Sequence, residues 1–215
     1  MTIPDFFNHK KTLLIDGATG SQLIAHGLQA GDCPEMWNMD HADIVQSINR
    51  SYFEAGSDAI LTNTFGGSKI KLKSSELEDR TYELNLAGAQ NALSVKPDGK
   101  FVVASIGPSG AMLEPFGNVS EEEMTESFAI QAKALADAGV DGFLIETFTD
   151  VNEMLCALKA VKQENINNLP IISSFTFNKT PDGFFTMMGN QLEDVVAQIM
   201  QEGVFAIGSN CGNGL

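Results

Sequence analysis

The chain has 215 residues, and its 28 acidic and 13 basic side chains give a net charge of −15 at pH 7. This charge disfavours a nucleic-acid partner, because a phosphate backbone is bound by basic surfaces. Hydrophobic residues make up 43% of the chain, which is enough for the core of one domain over residues 1–215. No apolar run approaches the roughly 20 residues of a membrane span, so no membrane partner is expected.

The three cysteines, Cys33, Cys156 and Cys211, are odd in number and widely spaced. This pattern is typical of free thiols or a metal ligand in a reducing compartment, rather than of a disulfide framework. Residues 1–7 lack the basic and apolar segments of a signal peptide. We therefore expect a cytoplasmic protein.

Short apolar runs alternate with helical patterns along the chain. After a lead-in helix or arm over residues 1–11, strands are predicted near residues 12, 58, 101, 142, 170 and 204. Helices are predicted from Asp40 to Ala55, over 79–94, after the caps Ser120 and Asp150, and over 190–202, with loops over 28–39 and 181–189. This alternation predicts a parallel sheet with helical crossovers.

One supersecondary unit recurs in the sequence. Residues 54–65 align without gaps to residues 137–148 with six of twelve positions identical, and residues 201–211 are a looser third copy. Such repetition favours an α/β fold of the TIM (βα)8 barrel type, with only about six βα units in this chain. Two independent glycine-capped junctions in an open doubly wound sheet are the alternative. The turn after the first strand, Asp16-Gly-Ala-Thr-Gly-Ser21, is not the G-x-G-x-x-G of a dinucleotide fold.

Polar side chains follow the predicted strands, and in a barrel the carboxyl ends of the strands meet at one mouth. The carboxylates Asp16 and Glu146 could bind an ammonium group there or act as acid and base, or each could cap its own loop. Cys211 could bind a metal or simply pack near a strand end. Cys33 and Cys156 lie away from the predicted strand ends. The full converging set is Asp16, Asn63, Thr64, Ser105, Glu146, Thr147, Ser174, Asn210 and Cys211.

Five ordered motifs together resemble the homocysteine S-methyltransferase family, and most of all the homocysteine-binding domain of the cobalamin-dependent methionine synthases. The resemblance covers residues 12–214. The motifs are Leu14-Ile-Asp16-Gly-Ala-Thr-Gly20, residues 54–65, Ser105-Ile-Gly-Pro108, Ile145-Glu146-Thr-Phe148 and Gly208-Ser-Asn-Cys211.

The resemblance implies a barrel in which three cysteines hold a zinc ion. Cys211 matches the first of them, in a Gly-x-Asn-Cys motif. The other two form an adjacent pair in a Gly-Gly-Cys-Cys motif, which would fall beyond Leu215. We therefore expect the last βα units to be missing from this chain, and the chain as written to hold zinc weakly and to be inactive.

The resemblance also implies zinc-dependent methyl transfer to the thiol of homocysteine, which forms methionine. Cys211 would act through the metal, and the methyl donor would be methylcobalamin or methyltetrahydrofolate on another domain or protein. The side chains and backbone expected to bind homocysteine are those of Asp16, Gly17, Ala18, Asn63, Thr64, Glu146 and Asn210.

Three alternatives stay open at this point. One is a barrel of the same family that serves another methyl acceptor or a corrinoid demethylation system. Another is a truncated, metal-free and inactive fragment. The third is an aldolase-type barrel, which usually carries a lysine at a strand end, and none of the six predicted ends here has one.

Overall fold

The computed structural model describes residues 1–212. Its main sheet has five parallel strands in the order β1-β2-β3-β4-β7, which is the order of the chain. A separate antiparallel pair is formed by β5 and β6. The strands are β1 (Ala59–Leu61), β2 (Phe101–Ile106), β3 (Gly142–Phe148), β4 (Ile171–Phe175), β5 (Asn178–Thr180), β6 (Gly183–Phe185) and β7 (Ala206–Ser209).

Helices connect the strands of the main sheet, as a parallel arrangement requires. Within residues 1–212, none of these helices is both long and apolar enough to cross a lipid bilayer. They are α1 (Ile3–Lys10), α2 (Thr19–Ala25), α3 (Trp37–Asp40), α4 (Ala42–Glu54), α5 (Lys69–Leu72), α6 (Thr81–Ser94), α7 (Glu121–Ala138), α8 (Val151–Glu164) and α9 (Leu192–Met200).

The first predicted strand, near residue 12, is reduced to a single parallel bridge between Ile15 and Ala59. Leu14 accepts the backbone N–H of Ala59 at 3.1 Å, and the N–H of Asp16 donates to Ala59 at 3.1 Å. The segment therefore lies beside β1 and extends the chain-order sheet. The apolar run of this segment ends at Asp16-Gly17, so the segment is too short to form a longer ladder with β1.

Two predicted loops contain regular structure instead. Residues 181–189 include β6, which pairs with β5 across a turn where Gly183 has φ of +129°, a conformation that glycine adopts without strain. Residues 28–39 include a 3-10 turn at Pro34–Met36 and the start of α3. Both are short local elements, for which hydrophobic periodicity carries little signal.

The predicted helix caps are confirmed. Ser120 Oγ accepts the N–H of Glu123 at 3.1 Å, and Asp150 Oδ1 accepts the N–H of Asn152 at 2.8 Å. These bonds satisfy backbone donors that lack a partner within the first turn of α7 and α8. Gly139 ends α7 in the left-handed conformation, with φ of +88°.

The inner face of the sheet changes character along the strands. At the amino ends it is apolar, and helix α1 closes it with Ile3 and Phe6, whose ring lies 5.5 Å from that of Phe101. Side chains on a strand alternate between faces. Ser105 therefore lies on the same inner face as Val103, and Glu146 lies on the same inner face as Leu144 in that cluster. The carboxyl ends of the strands thus carry the polar groups.

Candidate functional site

A cavity of about 710 Å³ opens at the carboxyl ends of β1, β2 and β3. Its wall is built from four chain segments within residues 16–20, 31–35, 61–66 and 71–75. Ser105 and Glu146 contribute from the ends of β2 and β3. The volume lies in the range of small-molecule sites, about 300–1,000 Å³.

Asp16 lies at the end of the segment beside β1 and lines this cavity. Its Oδ2 accepts the backbone N–H of Leu61 at 3.0 Å, so the carboxylate is anchored to β1 rather than to its own loop. Its Oδ1 is fully shielded and has no hydrogen-bond partner within residues 1–212. Burial, together with the nearby negative charge of Glu146, raises the pKa of Asp16 to about 7, although the hydrogen bond from the Leu61 N–H lowers it.

Glu146 is half-buried near the end of β3, and its Oε1 accepts the hydroxyl of Ser105 at 2.6 Å. Burial raises the pKa of this carboxyl also. Two carboxylates thus share one cavity, and the charge of Glu146 disfavours the charged form of Asp16. A ligand with a positive charge would relieve this repulsion.

The backbone around Gly17 and Ala18 also lines the cavity. A Cβ at Gly17 would lie 3.2 Å from the Tyr52 ring and hydroxyl, so the turn packs closely on that side chain. A side chain at this position would therefore require the Tyr52 ring to shift. The turn therefore brings exposed backbone to the cavity beside the two carboxylates.

The side chains of Asn63 and Thr64 make hydrogen bonds that hold the wall of the cavity in place. Asn63 lines the cavity, but its Nδ2 donates to the carbonyl oxygen of Pro34 at 2.8 Å and to Asn38 Oδ1 at 3.0 Å. Thr64 is fully buried beneath, and its hydroxyl donates to the carbonyl oxygen of Ser105 at 2.8 Å. These bonds hold the first loop and β2 against the end of β1.

The end of β3 is irregular at the position that carries Glu146. The register between β3 and β4 shifts between Ile145 and Phe148, and Thr147 adopts a positive φ of +68°. Bulges of this kind redirect side chains and are frequent next to functional sites. The N–H of Thr147 leaves the ladder and donates to Asn210 Oδ1 at 3.1 Å.

Asn210 is the hydrogen-bonding centre at the end of β7. Its Oδ1 also accepts the hydroxyl of Ser174 at 2.7 Å, and its Nδ2 donates to Thr147 Oγ1 at 2.7 Å. One side chain therefore joins the ends of β3, β4 and β7.

Cys211 follows directly, is exposed and has φ of +57°. Its Sγ lies 3.6 Å from Asn210 Nδ2. The thiol is therefore at the same end of the sheet as Glu146, although it does not line the cavity with Asp16.

The part of the chain that the structure describes contains no group of three or more His, Cys, Asp or Glu side chains placed to hold a metal ion. Cys211 is thus a single thiol, and residues 1–212 alone do not form a tetrahedral ligand set of the kind that zinc takes. The two further cysteines that the resemblance implies lie outside the described residues.

The sequence did not indicate that Cys33 would reach the cavity, yet it lines it. Its thiol donates to Glu35 Oε2 at 3.2 Å, while Glu35 Oε1 accepts the N–H of Gly66 at 2.7 Å. Burial and the charge of Glu35 raise the pKa of Cys33 to about 11, which keeps it a thiol. Cys156, in contrast, is buried in the core between sheet and helices. No spacing signal marks Cys33, because the loop reaches the mouth through tertiary contacts such as Asn63 to Pro34.

The sequence profile of the homocysteine S-methyltransferase family matches residues 13–215. The chain belongs to this family. Among curated relatives, the methionine synthases of Mycobacterium tuberculosis and Mycobacterium leprae are each 29% identical to it. Each match covers 95% of this chain and 18% of the relative, so the chain spans less than a fifth of those proteins.

Solved structures of a family member confirm the expected fold. The homocysteine methyltransferase MmuM from Escherichia coli in its oxidized form superposes with a TM-score of 0.81 at 21% identity, over 97% of this chain and 76% of that one. Its metallated form gives 0.79 at 21% identity, over 96% and 77%. At this identity the likeness shows a shared fold.

The hydrogen bonds that Asn210 makes to the ends of β3 and β4 lead to a stability prediction. Asn210→Ala leaves the Thr147 N–H and the Ser174 hydroxyl without their acceptor, and an unsatisfied buried group costs about 1–3 kcal/mol. We expect a lower free energy of unfolding by that amount in urea. Asn152→Ala, an exposed helix position on α8, is the control and should change it by less than about 0.5 kcal/mol. Equal effects of the two substitutions would contradict a stabilising role for the Asn210 hydrogen bonds.

The raised pKa of Asp16 leads to a second prediction, on the pH dependence of folding. Between pH 3.8, its ordinary value, and about 7, the folded protein binds a proton that the unfolded chain has released. The free energy of unfolding therefore falls as the pH rises through this window, by at most about 1.4 kcal/mol per pH unit. Asp16→Asn should lose less stability than the wild type between pH 5 and pH 8, measured by urea unfolding. The exposed Asp182→Asn should behave as the wild type, and an unchanged slope in Asp16→Asn would be evidence against the raised pKa.

Proposed function

We propose that this chain is the homocysteine-binding part of a methyltransferase that methylates the homocysteine thiol to form methionine. The observation that carries the proposal is the pair of carboxylates, Asp16 and Glu146, in one cavity, with the Oδ1 of Asp16 shielded and unpaired among the described residues. Family membership and the similarity to methionine synthases support the choice of homocysteine among ligands that carry an ammonium group.

Binding of the ammonium group favours the charged forms of Asp16 and Glu146, which burial disfavours. An ammonium has three donors and a full positive charge, so it can interact favourably with both carboxylates that line the cavity. Both carboxylates are already anchored, Asp16 by the Leu61 N–H and Glu146 by the Ser105 hydroxyl. The ligand therefore meets a preorganised site and does not need to order these side chains.

The thiol end of homocysteine must lose its proton before it attacks, because the thiolate is the nucleophile. A zinc ion, which the resemblance implies, would lower the pKa of the bound thiol when present. Cys211 is the residue among 1–212 that we propose as a ligand, because it matches the family motif and its thiol is free. The roles proposed for the chain's own residues are therefore to bind the amino acid and hold it with its sulfur free to react.

In the transfer, the homocysteine sulfur forms a bond to the methyl carbon while the bond between that carbon and the donor breaks. The donor keeps the electron pair of the broken bond, and the sulfur becomes the thioether of methionine. We propose methylcobalamin or methyltetrahydrofolate as donor, carried by another domain or protein. The small fraction of the mycobacterial methionine synthases that this chain matches supports that division of labour.

The role of Glu146 is tested by binding. Glu146→Gln keeps the shape and can still accept the Ser105 hydroxyl, but it removes the charge opposite the ammonium group. Loss of a hydrogen bond to a charged group costs about 1.5–3 kcal/mol, so titration calorimetry should show homocysteine bound about 10- to 100-fold more weakly. Zinc content, measured by metal analysis of the protein together with any residues that continue it beyond Leu215, should not change.

Glu153→Gln is the matched control for this test. Glu153 is also buried, accepts a serine hydroxyl from Ser109 at 2.6 Å and has a raised pKa caused by burial, but it does not line the cavity. Homocysteine should bind this variant as it binds the wild type. Equal loss of zinc and homocysteine in Glu146→Gln would instead place Glu146 among the metal ligands.

Cys211 is tested through the metal. In the protein together with any residues that continue it beyond Leu215, Cys211→Ser should lower bound zinc and abolish methyl transfer, because a serine hydroxyl is a far weaker zinc ligand than a thiolate. Cys33→Ser is the matched control and should retain both, since its thiol stays protonated and bonded to Glu35. Full zinc content and activity in Cys211→Ser would overturn this role.

A further inference from the structure

One positively charged side chain lines the cavity that holds the two carboxylates. Among the described lining residues this is Lys71, in the short helix α5 after β1. A Cβ added at Gly110 would lie 3.5 Å from its Nζ, so the ammonium group lies close to the loop that follows β2. Neither its sequence position nor the family motifs indicated a role for it.

The backbone that carries Lys71 is held firmly although the side chain is exposed. Leu72 beside it is buried, and Ser68 Oγ accepts the Lys71 N–H at 3.3 Å. Ser127 on α7 accepts the N–H of Ile70 at 2.9 Å. The flexible side chain of Lys71 therefore extends from a fixed point on the cavity wall.

The charge of Lys71 has no partner within residues 1–212. None of the ion pairs there includes it, and its Nζ makes no hydrogen bond to a described residue. The cations that are paired are Lys10, Arg80, Lys96, Lys100, Lys133 and Lys162. In a chain with a net charge of −15, an unpaired cation beside a cavity is available to a negatively charged ligand group.

A ligand with both charges matches this cavity. An ammonium group at Asp16 and Glu146 leaves the carboxylate of the same amino acid in need of a cationic or N–H partner. Lysine suits such a role, since its compact ammonium on a long stem can adjust to the position of an anion. Without the lysine, all the ionisable acidic and basic side chains that line this cavity among the described residues would be acidic.

We propose that Lys71 is a specificity-determining residue that binds a carboxylate of the small molecule in the cavity. This proposal rests on the proposed function for the position of the ammonium group. The carboxylate belongs either to the amino acid itself or to a methyl donor that carries one. Both sources share the same chemistry, and the experiment separates them.

The test is calorimetric titration of wild type and Lys71→Met with three thiols that differ in one charge. These are homocysteine, homocysteamine, which lacks the carboxylate, and γ-mercaptobutyrate, which lacks the ammonium group. We expect Lys71→Met to weaken homocysteine and γ-mercaptobutyrate about 3- to 10-fold and to leave homocysteamine unchanged. Lys71→Arg should restore most of the affinity, and Lys73→Met, an exposed lysine of the same segment that does not line the cavity, should match the wild type.

A titration with methyltetrahydrofolate, whose glutamate tail carries carboxylates, separates the two sources. If Lys71→Met weakens this ligand and leaves homocysteine unchanged, the carboxylate belongs to the donor. Equal weakening of all ligands, homocysteamine included, would make Lys71 merely structural and overturn the proposal, as would no change in any of them.

The same titrations separate this proposal from the proposed function. Binding of γ-mercaptobutyrate that depends on Lys71, with no binding of homocysteine or homocysteamine to wild type, would overturn the proposed function and leave Lys71 in its role. If wild type binds none of the four compounds, both proposals fail.

Discussion

Parallel pairing of the strands in chain order is the constraint on which the rest of this structure depends. It brings the carboxyl ends of the five main-sheet strands to one edge, while side-chain alternation turns every second residue inward. The inner face can then be apolar at the end that α1 closes and polar at the other. The strand register therefore places four polar residues at the same end of the sheet, namely Ser105, Glu146, Ser174 and Asn210.

The polar end of the sheet carries two kinds of interaction with opposite consequences. Around Asn210, donors and acceptors from three strands satisfy one another, and this network stabilises the fold. At Asp16 and Glu146, two carboxylates of like charge share a cavity and one oxygen has no partner among the described residues, which costs stability. Strained or unsatisfied groups that are held in place by a well hydrogen-bonded environment are typical of ligand-binding sites.

The family shares the fold and the motifs, whereas the remaining wall of the cavity is set by this chain's own loops. The loop with Cys33 and Glu35 precedes β1, the segment with Lys71 follows it, and both line the cavity. Loops on the carboxyl side of such a barrel vary without disturbing the core. Ligand selectivity in this protein is thus expected to depend on residues that no family motif contains.

The sequence by itself determined the alternation of strands and helices, the caps at Ser120 and Asp150 and the family, since each follows from local pattern or ordered motifs. It also identified Asp16 and Glu146 as a convergent pair, because strand order and alternation are sequence properties. Only the tertiary structure decided that Cys33 and Lys71 line the cavity, that Asn63 and Asn210 hydrogen-bond to other parts of the fold, and that Cys211 lies outside the cavity wall. The physical reason is that these placements depend on how loops pack across the mouth, through contacts between residues far apart in the chain, which local periodicity does not encode.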